Sequence, residues 1–215
     1  MRLDLLVVKR GFFTSRSRAK EAIRRGFVVV NGSVITKPSA EVDFNAEIEV
    51  LEPERPRGYW KLREIDEKFN LFSGNEVVLD IGSSAGGFLL YASERAREVY
   101  GIEYSREFEE QLREIERQKP NVKVFIADAF TFDISVLPEL DLILHDLTLP
   151  FSSSIIALRR FMPKLKKGGK VLFVHKVGDK EEADFRGEFE VSGCIISQNR
   201  KEIYYLLSND YNYHY

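Results

Sequence analysis

The sequence is short of the residues that build metal centres and disulfides. It holds one cysteine, Cys194, and 3 histidines among 215 residues. A lone thiol closes no disulfide within the chain, and with so few histidines a His/Cys metal centre is not expected. Long apolar runs are missing too, with nothing near the ~20 residues that span a bilayer. The stretch Met1–Lys9 has an apolar core too short for a signal peptide and lacks a small-residue cleavage site. The expectation is a cytoplasmic protein. Repeats and low-complexity tracts are absent. What remains is 44% hydrophobic and 31% charged, an ordinary globular composition. The length suits one large domain, or a medium domain with a small one.

The net charge of −2 hides an asymmetry. Positions 1–40 carry nine cations against two anions, Asp4 and Glu21, a local charge of +7 that leaves −9 for the rest. A basic module joined to an acidic body follows. In the basic part, Leu3, Leu5, Leu6 and Val7 predict a short helix stopping near Gly11. Thr14 or Ser15 caps a second helix that holds Arg18 to Arg25 and stops at Gly26. Arg16, Lys20 and Arg24 fall four residues apart and share one face, opposite Ala19, Ala22 and Ile23. Asn31-Gly32 predicts a tight hairpin within Phe27–Ile35, and Glu47–Leu51 a further strand. The motifs Arg2-Leu3-Asp4, Thr14-Ser-Arg-Ser-Arg-Ala-Lys20, Ile23-Arg-Arg-Gly26 and Val30-Asn-Gly32 occur in this order. In them the segment 1–51 resembles the small RNA-binding module named for ribosomal small-subunit protein S-four. That resemblance implies contact with structured RNA through Arg2, Arg16, Arg18, Lys20, Arg24 and Arg25. Residues 52–58, with two prolines and no apolar periodicity, read as a linker.

The second part, 59–208, is built around Val77-Val-Leu-Asp-Ile-Gly-Ser-Ser-Ala-Gly-Gly-Phe88. A short apolar strand, a small-residue loop and a helix start make a nucleotide-cofactor site. Tyr59–Leu71 predicts a helix before it. After it come strands at Val99–Glu103, Val122–Asp128, Leu140–Asp146 and Lys170–Lys176, helices at Arg106–Gln118 and Ser153–Leu165, a turn at Gly168-Gly169, and a closing hairpin over 190–207. Strands alternating with helices predict an α/β fold, a doubly wound, mostly parallel sheet of the Rossmann-like class, preceded by the small α+β module. The tail 209–215 has no interpretation.

The loop reads Gly-x-x-x-Gly-Gly, which is neither the dinucleotide fingerprint nor a triphosphate loop. Acidic residues close three successive strands, at Asp80, Glu103 and Asp128. S-adenosylmethionine (SAM) has no phosphates but carries a sulfonium, an ammonium, a ribose diol and an adenine amino group, all suited to carboxylates. The expected cofactor residues are therefore Asp80, Gly82, Ser83, Ser84, Ala85, Gly86, Gly87 and Phe88 at the methionine end, Glu103 at the ribose, and Asp128 with Ala129 at the adenine.

Four polar residues remain, Lys61 on the first helix of this part, Asp146 and Lys176 at strand ends, and Glu202 in the last strand. With Tyr59-Trp-Lys-Leu-Arg-Glu-Ile-Asp66 and the glycine loop, they resemble the Lys-Asp-Lys-Glu tetrad of FtsJ-like RNA 2′-O-ribose methyltransferases. With the basic module in front, the chain is similar to the TlyA (haemolysin A-like) branch. The resemblance implies methyl transfer from SAM to a ribose hydroxyl, with ribosomal RNA as partner and no metal. In that setting Lys176 takes the hydroxyl proton, its pKa lowered by burial and by the Lys61 charge. Asp146 orients it, and Lys61 and Glu202 position the groups. Strand alternation turns His145 and His175 to the opposite face. Two alternatives stay open. One is methylation of a base, although the Asn/Asp-Pro-Pro-aromatic stretch of such enzymes is missing at Asp146-Leu-Thr-Leu149. The other is a ribosome-associated RNA-binding protein with a degenerate methyltransferase fold.

Overall fold

A computed structural model describes residues 1–52, 54–178, 182–186 and 189–208. The tail 209–215 and the linker's Pro53 lie outside the described residues. The chain forms two compact units, Met1–Arg55 and Pro56–Tyr215.

In the first unit, α1 (Leu3–Lys9) and α2 (Arg16–Arg24) accompany three antiparallel strands, β1 (Val28–Val30), β2 (Ser33–Val34) and β3 (Ile48–Val50), in the order β2-β1-β3. Ser15, not Thr14, caps α2 and accepts from the Arg18 N–H. Thr14 instead bonds Glu54 through its N–H at 2.9 Å and its hydroxyl at 2.7 Å. Asn31 and Gly32 both take positive φ and place Val30 opposite Ser33, as the hairpin signal requires. Leu3, Val7, Phe13, Ala19, Ile23, Val28, Val30 and Ala46 form one buried cluster.

The second unit is a seven-stranded sheet flanked by helices. Its strands are β4 (Val77–Ile81), β5 (Glu98–Glu103), β6 (Val122–Ile126), β7 (Leu140–His145), β8 (Leu165–Lys176), β9 (Glu190–Ile196) and β10 (Glu202–Ser208). The order is β6-β5-β4-β7-β8-β10-β9, with β4 to β8 parallel and β10 antiparallel to both neighbours. Every residue of β4 is buried, as a central strand covered on both faces must be. Strand order reverses on either side of β4, so the loop after it opens at the crevice where ligands bind in such sheets.

Some boundaries differ from expectation. Helix α3 spans Arg57–Phe69, so Arg57 and Gly58 are helical and not part of the linker. Glycine is a poor helix former, but this one lies where α3 crosses α4 (Gly87–Ser93). A Cβ on Gly87 would stand 2.6 Å from the Gly58 Cα and 2.5 Å from the Tyr59 N. The close crossing fixes α3, and with it Lys61, against the glycine loop. The pair Gly168-Gly169 falls inside β8, where Leu165–Lys170 stands opposite only Leu140–Leu142, so the reversal expected there interrupts the strand without ending it. Gly168 takes φ +75° and the register against β7 shifts between Leu140 and Leu142. Helix α5 covers Glu109–Gln118 after a 3-10 turn at Arg106–Phe108. Helix α6 covers Phe151–Phe161 between Pro150 and Pro163, and so begins and ends earlier than its periodicity suggested. Strands β6 and β7 stop at Ile126 and His145, which leaves Asp128 and Asp146 on the loops beyond.

Candidate active site

The glycine loop folds back on β5. The N–H groups of Gly82 and Ser83 reach the Ile102 carbonyl at 2.9 and 3.2 Å, and the Ser84 N–H reaches Glu103 Oε2 at 2.7 Å. Gly82 has φ +86°, and a Cβ there would meet Leu147 Cδ2 at 2.7 Å. The loop therefore directs these three N–H groups into the protein. A phosphate-binding loop needs them aimed at its ligand, so this one suits a ligand without phosphates.

A cavity of about 360 Å³ opens beside it, lined by Gly82, Glu103, Asp128 and Ala129 together with apolar neighbours that include Ile102 and Leu147. That size is usual for a small-molecule site. Glu103 is nearly buried, and its Oε1 accepts from the Ser105 N–H at 2.7 Å. Each of its oxygens thus holds one backbone N–H and keeps a lone pair for a further donor. Asp128, which lines the cavity, accepts through Oδ1 from the Phe130 N–H at 2.9 Å and keeps further acceptor capacity. A mostly apolar cavity with two carboxylates fits an adenine and a ribose diol. The other expected cofactor residues lie elsewhere. Ser83, Ser84, Ala85, Gly87 and Phe88 line a second cavity of about 380 Å³, which shares Gly82 with the first. Gly86 lines neither; it is the N-cap of α4 and packs on Leu112 and Ile115 of α5.

Asp80 is fully buried, and neither of its carboxylate oxygens has a hydrogen-bond partner among the described residues. Burial pushes its carboxyl up to about 8, against the Ser83 hydroxyl, and the charges of Asp146 and Glu103 add to the rise. An orphaned acid beneath a loop of small residues fits a cationic ligand group such as an ammonium.

The second cavity also reaches Lys61, Asp146 and Glu202. Here the four tetrad residues form a closed ring. Lys61 Nζ lies 2.7 Å from Asp146 Oδ2 and 2.8 Å from Glu202 Oε2. Lys176 Nζ lies 2.6 Å from Asp146 Oδ1 and 2.7 Å from Glu202 Oε1. Each carboxylate bridges both lysines. The register supplies this arrangement, because Lys176 pairs directly with Glu202 across β8 and β10. Asp146 follows β7, and α3 brings in Lys61. Burial raises the Glu202 carboxyl, but the hydrogen bonds from Lys176 and Lys61 outweigh it and hold it down at about 2. For Lys176 the sequence expectation is reversed. Burial does lower its pKa, yet Asp146 and Glu202 overcome burial and hold the ammonium above its usual range. Two carboxylates in contact outweigh one neighbouring cation.

The sequence reading missed some members of the site. The Tyr204 hydroxyl donates to Glu202 Oε2 at 3.0 Å, and its ring centre lies 5.8 Å from Lys61 Nζ. Its spacing of two residues from Glu202 on a strand was the available signal. Phe88, already expected at the methionine end, faces the same ammonium at 5.7 Å. Arg57 and Arg200 also line the second cavity, and Arg200 donates to Glu64 at 2.7 Å. His145 points away, as alternation requires. It stacks on Phe173 at 4.7 Å, and burial lowers it to about 4.

In the first unit, the six basic residues fall into separate settings. Arg2, Arg16 and Lys20 surround Asp4. Arg18 pairs with Glu54, Arg25 bonds Glu21 at 2.8 Å, and Arg24 is exposed.

Comparison with known proteins decides the family. The model of the FtsJ-like methyltransferases matches residues 55–184, and that of the S4 domain matches residues 1–48. The chain belongs to the FtsJ-like methyltransferase family. It is 31% identical over 192 residues to Ribosomal RNA large subunit methyltransferase E of Legionella pneumophila (strain Lens), covering 74% of this chain and 86% of that one. It is 34% identical over 106 residues to Hemolysin A of Brachyspira hyodysenteriae, covering 48% of this chain and 44% of that one. The chain spans about half the length of the first curated relatives it matches. Among solved structures, Aeropyrum pernix fibrillarin in complex with natively bound SAM superposes with a TM-score of 0.59 at 18% identity, over 75% of this chain and 78% of that one. At that identity the likeness concerns the fold. Among the described residues no helix is long and apolar enough to cross a membrane, and no three His, Cys, Asp or Glu side chains group to hold a metal.

Proposed function

We propose that this FtsJ-like chain is a SAM-dependent RNA methyltransferase that modifies a ribose 2′-hydroxyl, with ribosomal RNA as substrate in the cytoplasm. The observation that carries the reading is the closed ring of Lys61, Asp146, Lys176 and Glu202 beside a cavity suited to an adenosine. When bound, SAM supplies an electrophilic methyl group. Glu103 and Asp128 hold the nucleoside, and Asp80 and the loop hold the methionine end. A ribose hydroxyl is a weak nucleophile until it sheds its proton. The ring supports that step: Lys176, once it has released its own proton to solvent, takes the hydroxyl proton, while Asp146, Glu202 and Lys61 keep its nitrogen in place. Tyr204 braces Glu202. The printed name of one relative, Ribosomal RNA large subunit methyltransferase E, supports the choice of RNA.

The test is transfer of a labelled methyl group from SAM to total ribosomal and transfer RNA, followed by alkaline hydrolysis. The label should appear in alkali-resistant dinucleotides, because a 2′-O-methyl group blocks cleavage of the adjacent phosphodiester. Label on a base would overturn the assignment to ribose, and no label in any RNA would overturn the activity.

The first unit supplies much of the RNA affinity in this reading. Changing Arg16, Lys20 and Arg24 together to Ala should weaken RNA binding and lower the slope of log K against log salt by about two to three, since each phosphate a cation neutralises releases about one counterion. Calorimetry with SAM should give an unchanged affinity. A triple variant that binds RNA as the wild type does would place the RNA-binding surface elsewhere.

A further inference from the structure

Asp4 has no part in the chemistry proposed above, yet among the described residues it is the one buried charged side chain of its unit. A carboxylate out of contact with water needs partners, and three cations converge on it. Arg2 donates from Nε to Oδ1 and from Nη2 to Oδ2, both at 3.0 Å. Arg16 Nη2 donates to Oδ2 at 3.1 Å, and the Lys20 ammonium stands 3.9 Å from the same oxygen. The Arg2 hydrogen bond, foremost, and that of Arg16 hold the Asp4 carboxyl below its usual range against the opposing effect of burial.

Three positive charges on one negative charge leave a local excess of +2. The side chains of Arg2, Arg16 and Lys20 are 40%, 50% and 36% exposed, and that of Asp4 is 0% exposed. The anion holds the cations from below while their outer edges stay at the surface. Bonding to Asp4 uses two of the five N–H groups of Arg2 and one of those of Arg16. A ligand with several oxygen acceptors and a negative charge satisfies the remainder, and on RNA that ligand is the backbone phosphate.

We propose that Asp4 is a positioning residue that holds Arg2, Arg16 and Lys20 as one preformed site for a phosphodiester group of RNA. The inference rests on the RNA reading above. Long side chains already restrained in the free protein lose less freedom when they bind, so the site is stronger than three loose cations of equal charge.

Asp4→Asn separates this effect from charge alone. Removing an anion from a basic face strengthens RNA binding if only net charge matters, and it steepens the salt dependence. If Asp4 positions the cations, the same change weakens binding by about tenfold, the order expected when preorganisation is removed. The measurement is fluorescence anisotropy with a short labelled RNA stem-loop and the full chain, across a series of salt concentrations. Circular dichroism and SAM calorimetry check that both units remain folded. The double variant Arg2→Lys/Arg16→Lys leaves the core untouched and keeps every charge but loses the planar forks. It should bind several-fold more weakly at an unchanged salt slope, and this keeps the test decisive if Asp4→Asn does not fold. Equal or tighter binding by Asp4→Asn, or wild-type binding by the double variant, overturns the inference alone. A wild-type chain that does not bind the stem-loop removes the RNA reading of this unit and the inference with it.

Discussion

Lys176→Ala should lower methyl transfer to RNA by about 10²–10⁴-fold, the usual range for loss of a general base, with SAM affinity nearly unchanged. Lys176 lies at the end of β8, its side chain 28% exposed, and it does not line the adenosine cavity. Its removal leaves Asp146 and Glu202 still bonded to Lys61. Lys176→Arg is the sharper variant, because the guanidinium keeps the ring's charge balance but does not give up its proton. It should be about as inactive as the alanine form if the proton goes to Lys176, and largely active if the residue only positions the substrate. The pH dependence has a definite sign. The two carboxylates hold the Lys176 pKa above its ordinary value, and a base acts only once deprotonated. The rate of the chemical step should therefore rise with pH through the neutral range and show no plateau below about pH 10. A rate independent of pH from 6 to 9 would assign the proton to a carboxylate of the ring instead.

Asp80→Asn should make the ligand-free protein more stable at pH 8 and at the same time a weaker binder of SAM. The Asp80 carboxyl is raised from 3.8 to about 8 by burial. Below pH ~4 the folded and unfolded chains both carry the proton, and the residue costs nothing. From pH 4 to 8 the unfolded chain releases it and the folded chain does not, so stability falls by up to about 1.4 kcal/mol per pH unit. At pH 7 the accumulated cost is on the order of 4 kcal/mol. Asparagine has no such proton but leaves a buried amide in need of partners, which costs about 1–3 kcal/mol. The net gain expected at pH 7 to 8 is about 1–3 kcal/mol, disappearing or reversing near pH 4. Urea unfolding at pH 4.5 and pH 8 measures it. Calorimetry should show SAM binding weakened, because the ammonium of the ligand loses a carboxyl that can ionise when the cation arrives. A variant less stable than the wild type at both pH values would show that Asp80 is ionised and paired in the folded protein.

Local patterns carried much of this structure into the sequence. Asn31-Gly32 specified the hairpin because only residues tolerant of positive φ make that turn. The apolar run Val77–Ile81 and the small residues after it marked the central strand and its crevice, since burial on both faces admits little else. The ring members were named through the resemblance to FtsJ-like enzymes. Gly58 and Gly168 were misread because tertiary packing overrode local preference. One is helical through a helix crossing, and the other takes a positive φ in an irregular stretch of β8.

By itself, then, the sequence determined the α/β alternation, the basic first unit and the glycine loop, because each depends on neighbours within a few positions, while the four ring residues were named through the family resemblance. Only the tertiary structure decided how charges far apart along the chain act on one another. Strand register set Lys176 against Glu202, a helix crossing brought Lys61 to both carboxylates, and folding of the first unit closed Arg2, Arg16 and Lys20 around Asp4. Electrostatic effects depend on distances of a few ångströms and on exclusion of water. For that reason the direction of the Lys176 pKa, the buried state of Asp80 and the role of Asp4 could be read only from the fold.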